Sequence, residues 1–116
     1  MAIFGTFFQS GKTVVNLDSL TFESQMKSEN DSVLLDVRTE DEFYEERIPN
    51  SKLINLMDPE FQTKISNLDK SKSYYVYCRS GNRSYHAGNM MMKMGFEKVY
   101  NLASGIIGWH GETESE

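Results

Sequence analysis

Short apolar runs alternate along this chain with longer segments in which apolar side chains return every three or four positions. The first pattern is typical of buried strands and the second of amphipathic helices. Apolar runs predict strands at residues 14–17, 33–36, 53–55, 74–77 and 98–101. Helical spacing predicts helices that begin near residues 18, 39, 58, 83 and 106. Because strands and helices alternate along the chain, we expect an α/β fold, with a mainly parallel sheet of about five strands flanked by helices in three layers.

Polar residues mark the start of the first predicted helix. Asp18 is suited to the N-cap position, where a short carboxylate accepts a hydrogen bond from a free backbone amide. Leu20, Phe22 and Met26 supply the apolar positions that follow, and we expect them to face the core.

The second and third predicted helices carry similar signals. Thr39 and Glu42 have the spacing of a capping box, in which each side chain binds the other residue's backbone amide. We expect Phe43 and Tyr44 to hold this short helix against the core. Asp58, followed by a proline, has the N-cap and first-turn chemistry of a helix that continues past residue 61.

Length and composition agree with one small domain. The chain has 116 residues, of which 39% are hydrophobic and 25% charged. We interpret residues 1–12 as a possible N-terminal extension and the acidic residues 111–116 as a solvated tail. A domain of this size is expected to function as a monomer.

Charge and cysteine content narrow the possible functions. The net charge of −5 argues against a nucleic-acid surface. A single cysteine excludes an internal disulfide, which fits a reducing compartment. The apolar N-terminal run is far shorter than a membrane span and has no basic residue before Lys12, so neither a signal peptide nor an anchor is expected. We therefore predict a cytoplasmic protein.

The single cysteine, Cys78, stands between the predicted strand 74–77 and the helix that begins near Arg83. Backbone N–H groups in such a turn, with the positive end of the helix dipole, converge on an enclosed anion. Positive charge next to a thiol, here from Arg79 and Arg83, lowers its pKa from about 8.5 to between roughly 3.5 and 7.5. The pattern indicates a nucleophilic thiolate, although a lone cysteine is also compatible with a small buried hydrophobe.

The residues between the two arginines suit a tight loop. Gly81 permits a positive φ or a close backbone approach, and Ser80 and Asn82 can form hydrogen bonds within the loop. We expect Arg79 to meet the substrate at the mouth, and Arg83 to point at an oxyanion or across the loop.

These segments together resemble the rhodanese-like (thiosulfate sulfurtransferase) family in its single-domain form, over nearly the whole chain. The resemblance is carried by the loop 78–84, by the strand, Asp-Val-Arg turn and acidic helix at 33–43, by Ile48-Pro49, and by residues 95–96, 99–102 and 105–109. The spacing from Cys78 to Arg83 is the family's six residues, one fewer than in related phosphatases and arsenate reductases. The resemblance thus implies sulfur transfer rather than phosphoryl chemistry.

The resemblance implies a specific reaction. Cys78 would accept a sulfane sulfur from a small anion such as thiosulfate, become a persulfide held by the loop amides, and pass the sulfur to cyanide, a thiol or an acceptor protein. It implies no cofactor. A persulfide carrier, or a protein-binding or sensing module with the same loop, is the alternative, and a phosphatase is a third.

The chain departs from the family pattern at two turns. Glu46-Arg47 and Asn50-Ser51 flank Ile48-Pro49, where the family often has Gly-His and Gly-Ala, and Ser104-Gly105 replaces a Gly-Gly pair. We expect these changes to affect partner surfaces and local stability. Asn50 is expected to keep the turn, because asparagine tolerates turn geometry.

Asp36 and Arg38 are expected at the same sheet edge as Cys78. Either Asp36 orients the loop or Arg38, or Arg38 and Glu42 pair on the surface or cap the next helix; we favour the second and leave both residues outside the catalytic set.

Other notable side chains receive structural interpretations. His86 is assigned to a solvated helix face and Trp109 to the core. His110 has no partners at metal-ligand spacing, so no metal site is predicted. The methionines at 90, 91, 92 and 94 are expected to fill the core, with a partner-binding surface as the alternative.

Overall fold

Nine helices and strands followed by a 3₁₀ turn alternate along the part of the chain, residues 13–116, that the computed structural model describes; the predicted extension 1–12 lies outside it. The elements are β1 (Val15–Leu17), α1 (Ser19–Ser28), β2 (Val33–Asp36), α2 (Glu40–Glu45), β3 (Lys52–Leu53), α3 (Phe61–Ser66), β4 (Ser73–Tyr77), α4 (Asn82–Lys93), β5 (Lys98–Leu102) and the 3₁₀ helix Ile106–Gly108. The alternation confirms the predicted α/β class.

The five strands form one parallel sheet with the order β1-β5-β4-β2-β3. Strand β4 lies at its centre, and all five of its residues are buried. Its alternate side chains enter two separate cores, since successive residues of a strand point to opposite faces. Tyr74 and Val76 join the core under α3 and α4, whereas Tyr75 and Tyr77 join the core under α1 and the 3₁₀ helix. Helices on both faces make the expected three layers.

Two side chains predicted to face the core are exposed instead. Leu20 is 69% exposed and Tyr44 is 48% exposed. On α1, Phe22 is fully buried and Met26 packs beside the same core, one helical turn later. Leu20 lies two positions from Phe22 and therefore about 200° around the helix, on the opposite face. Tyr44 is exposed although its ring packs edge-on against that of the half-buried Phe43, with 5.4 Å between the ring centroids.

The boundaries of two elements, β3 and α3, differ from those predicted from the sequence. Strand β3 ends at Leu53, although Ile54 N–H still donates to the Asp36 carbonyl at 2.9 Å. Helix α3 begins at Phe61 rather than at Asp58. The Asp58 carboxylate accepts the Glu60 N–H at 2.8 Å, so it closes a tight turn ahead of the helix instead of capping the helix itself.

The predictions for the methionines, Trp109 and His86 are confirmed. Met91 is fully buried, and the neighbouring methionines at 90, 92 and 94 pack partly buried against the same core. Trp109 packs edge-on against Phe22 at 6.1 Å between ring centroids. His86 lies exposed on α4.

The acidic C-terminal segment is exposed as expected, but it is docked rather than free. The backbones of Arg47 and Glu114 exchange two hydrogen bonds of 2.9 and 2.8 Å. The Arg47 guanidinium also pairs with the carboxylates of Glu114 and Glu116. Arg47 therefore fastens the tail to the segment after α2. At the next turn Asn50 takes a φ of 71°, in the left-handed region that asparagine tolerates.

No helix within residues 13–116 is long and apolar enough to cross a membrane.

Candidate active site

The Cys78 thiol lies buried at the carboxyl end of the central strand β4, below the start of α4. Its Sγ atom accepts the Gly81 N–H at 3.2 Å, the Ser84 N–H at 3.3 Å and the Ser84 hydroxyl at 3.3 Å. All three donors come from the loop and the first turn of α4. A sulfur surrounded by donors is better suited to carry negative charge than to act as a buried hydrophobe.

The surroundings hold the pKa of Cys78 below its ordinary value. Burial raises this pKa, but the Ser84 hydroxyl and the amides of Ser84, Gly81 and Ser80 lower it by more. A lowered pKa increases the thiolate fraction near neutral pH, and the thiolate is the nucleophilic form. The arrangement can therefore support nucleophilic attack by Cys78.

Arg83 reaches across the loop to α2. Its Nη1 and Nη2 atoms lie 2.9 and 3.0 Å from Oε1 and Oε2 of Glu42. Arg83, with the Thr39 hydrogen bonds, lowers the pKa of Glu42 to about 2 although partial burial opposes the change. Of the two predicted orientations of Arg83, the structure has the second, across the loop. Direct contacts to Sγ come from amides and a hydroxyl.

The other predicted loop residues divide between the surface and the interior. Arg79, Ser80 and Asn82 are exposed. Gly81 is buried with a φ of 98°, and a Cβ atom there would lie 2.2 Å from the Ala103 carbonyl oxygen. Only glycine fits this position without displacing backbone, and the tight fit keeps the Gly81 amide beside the sulfur.

The 3₁₀ helix supports the loop from behind. The Ile106 N–H donates to the Cys78 carbonyl at 2.9 Å, and the Ile107 N–H donates to the Arg79 carbonyl at 3.2 Å. Gly105 precedes this pair with a φ of 68°, and a Cβ atom there would lie 2.0 Å from the Arg79 carbonyl oxygen. The chain's departure at residues 104–105 therefore keeps the glycine that the close approach requires.

Asp36 and Arg38 form a buried ion pair near the same sheet edge. Arg38 Nη2 lies 2.7 Å from Asp36 Oδ2 and 2.6 Å from the Glu46 carbonyl oxygen. The favoured pairing of Arg38 with Glu42 is wrong: Asp36 orients Arg38, and Glu42 caps α2 while it holds Arg83.

Sequence reasoning missed Ser84. A signal was available, because Ser84 lies at the third position of a helix that begins just after Gly81, where backbone amides lack helical partners. A hydroxyl on the same residue adds a second donor in the same direction. Within residues 13–116, no cluster of three or more histidine, cysteine or acidic residues is arranged to hold a metal ion.

Comparison with known proteins agrees with this geometry. Residues 21–112 match the rhodanese-like domain family. The chain is 34% identical over 100 residues to a sulfurtransferase of Allochromatium vinosum, covering 84% of this chain and 92% of that protein. It is 32% identical over 85 residues to the thiosulfate sulfurtransferase GlpE of Coxiella burnetii, covering 73% and 78%. A crystal structure of a rhodanese-related protein from Thermoplasma volcanium superposes with a TM-score of 0.76 at 26% identity, covering 88% and 99%.

The chain therefore belongs to the rhodanese-like domain family and has its fold. Its sulfurtransferase relatives support a transferase of the rhodanese type.

Proposed function

We propose that this protein transfers sulfane sulfur through a persulfide on Cys78, with thiosulfate as a donor and cyanide, a thiol or an acceptor protein as the recipient. The proposal is carried by the buried Cys78 sulfur, which accepts three hydrogen bonds from Gly81 and Ser84. A relative named thiosulfate sulfurtransferase supports the choice of donor.

In the first step the Cys78 thiolate attacks the outer sulfur of thiosulfate. A bond forms between Sγ and that sulfur, the sulfur–sulfur bond of thiosulfate breaks, and sulfite leaves with the electron pair. The persulfide carries its negative charge on the terminal sulfur, where loop amides can stabilise it. Arg79, exposed on the loop, supplies positive charge for the incoming anion.

In the second step the acceptor attacks the terminal sulfur. With cyanide, a carbon–sulfur bond forms, the bond to Sγ breaks, and thiocyanate leaves while Cys78 returns to the thiolate. The two half-reactions share one enzyme form, so ping-pong kinetics are expected. With one cysteine in the chain, resolution by an internal thiol is excluded and the acceptor comes from outside.

Intact-protein mass spectrometry after incubation with thiosulfate tests the proposal. The wild type should gain one sulfur, lose it when cyanide is added, and release thiocyanate, whereas a folded Cys78→Ser variant should do none of these. A His86→Ala variant serves as the matched control and should behave as the wild type, because His86 lies exposed on α4 and outside the loop. A sulfur gain without multiple turnovers would favour the carrier alternative; no gain by the folded wild type would contradict the proposal for thiosulfate.

A further inference from the structure

Asn101 lies buried on β5, directly behind the loop that holds Cys78. Its side chain is 1% exposed. The Nδ2 group donates two hydrogen bonds, to the Gly81 carbonyl at 3.1 Å and to Asn16 Oδ1 on β1 at 2.9 Å. The amide therefore ties the loop to two strands of the sheet.

The Gly81 carbonyl is the point where the loop becomes a helix. It also accepts the Tyr85 N–H at 3.1 Å, the first hydrogen bond of α4. On the other side of the same residue, the Gly81 N–H donates to Cys78 Sγ at 3.2 Å. The N–H and the carbonyl of one residue are related only by its φ and ψ, so contacts at both groups of Gly81 together restrict these two rotations.

A planar trans peptide extends the effect to the next residue. The N–H of Asn82 shares a peptide plane with the Gly81 carbonyl and points the opposite way, away from Asn101. Backbone groups of the 3₁₀ helix hold the two earlier loop carbonyls, those of Cys78 and Arg79. At the Gly81 carbonyl a side chain makes the equivalent contact, and that contact is open to substitution.

We infer that Asn101 is a positioning residue that acts through the Gly81 carbonyl to aim the loop amides at the reacting sulfur of Cys78. The inference deepens the proposed function and rests on it for the sulfur-transfer step. Asn101 does not touch the sulfur itself; it keeps Gly81 from turning its amide away when charge develops there. Strand β5 thus fixes the directions of the loop amides before the reaction begins.

The side-chain oxygen of Asn101, Oδ1, is unpaired within the described part of the chain, and this supports a role for the Nδ2 group of the same side chain. No donor within residues 13–116 reaches Asn101 Oδ1, although the atom is buried. A buried acceptor without a partner is unfavourable, so packing alone favours an apolar residue here. The two contacts of Nδ2 give a reason for an amide at this position.

The test replaces Asn101 and a control residue from the same hydrogen-bond chain. Asn101→Leu removes the donor to Gly81 at similar volume, and Asn101→Ser keeps a polar group too short to reach it. Asn16→Ala removes the other partner of the same amide and leaves the contact with Gly81 in place. The pKa of Cys78 is read from the pH dependence of its alkylation by iodoacetamide, which needs no sulfur donor.

Both Asn101 variants should raise the pKa of Cys78 by about one pH unit, whereas Asn16→Ala should leave it unchanged. With thiosulfate, they should lower kcat about tenfold with little change in KM, because binding of the anion does not involve Asn101. An alkylation profile that superposes on that of the wild type in either folded variant overturns the inference. If the wild type forms no persulfide but the Asn101 variants still raise the pKa, the proposed function fails while the positioning role stands.

The wild type offers a check that needs no substitution. The side-chain amide resonances of Asn101 should shift as Cys78 titrates, with the midpoint found by alkylation. Resonances that stay fixed through this titration would contradict a coupling through Gly81, even if every Asn101 variant failed to fold.

Discussion

Glu42 on α2 and Arg83 at the start of α4 form an ion pair with two parallel contacts of 2.9 and 3.0 Å. The pair spans 41 positions of sequence and joins two helices on either side of the active-site loop. Both side chains are partly shielded from solvent, with exposed fractions of 31% for Arg83 and 25% for Glu42. Arg83 therefore adds positive charge to the loop, and its pairing with Glu42 also fixes the position of the start of α4 relative to α2.

We predict that Glu42→Gln weakens the fold in a pH-dependent manner. The folded-state pKa of Glu42, about 2, is below its ordinary value of 4.5, so the stabilisation is fully present above pH 4.5 and is lost as the pH falls through 2. After a discount for solvent screening, the difference in free energy of unfolding at pH 7 should be about 1 to 2 kcal/mol. Urea unfolding at pH 7, 4 and 2 measures it.

Asp41→Asn is the matched control for this series, because Asp41 lies exposed in the same first turn of α2. It should show a much smaller effect. A Glu42→Gln deficit of equal size at pH 7 and pH 2 would assign the effect to packing instead of charge.

Ser84→Ala should raise the pKa of Cys78 by about one unit, since it removes a hydrogen bond to the charged sulfur and leaves the amides in place. Ser80→Ala should leave that pKa unchanged, because Ser80 contributes through its backbone amide. The pH dependence of iodoacetamide alkylation measures both. Coincident profiles for the two alanine variants would remove the Ser84 hydroxyl from this role.

Gly81→Ala should abolish the low pKa of Cys78 and destabilise the fold more than Gly95→Ala. Both glycines have positive φ, and that conformation alone costs an alanine about 1 to 2 kcal/mol. Only the Gly81 substitution also brings a Cβ atom to 2.2 Å from the Ala103 carbonyl oxygen; at Gly95 the nearest neighbour is a flexible Lys70 carbon at 3.5 Å. Thermal unfolding and alkylation compare the pair, and equal effects at the two positions would contradict the steric argument.

Asp36→Asn should destabilise the fold by about 3 kcal/mol, because it leaves the buried Arg38 charge without its anionic partner. Lys27→Met, which breaks the exposed pair with Glu23 on α1, should change stability little. Chemical denaturation of both variants measures the contrast. A small loss in Asp36→Asn would mean that the Glu46 carbonyl and the Tyr77 ring are sufficient partners for Arg38.

Several features were predictable because they are local. The capping box of Thr39 and Glu42 forms as its spacing indicated, and the strand, turn and helix around Cys78 occur where the apolar pattern placed them. Leu20 shows the limit of such patterns. An apolar residue near a helix start gives no indication of which face the sheet will cover, and that face is determined by Phe22 and Met26.

The sequence by itself determined the order of strands and helices and the position of the cysteine between a strand and a helix, because these depend on periodicity and on neighbours within a few residues. Only the tertiary structure decided which partners the charged and polar side chains take. Arg83 meets Glu42, Arg47 meets the C-terminal tail, and Asn101 meets Gly81. Such contacts join residues 20 to 69 positions apart, so they exist only once the sheet order and helix packing bring separate segments together.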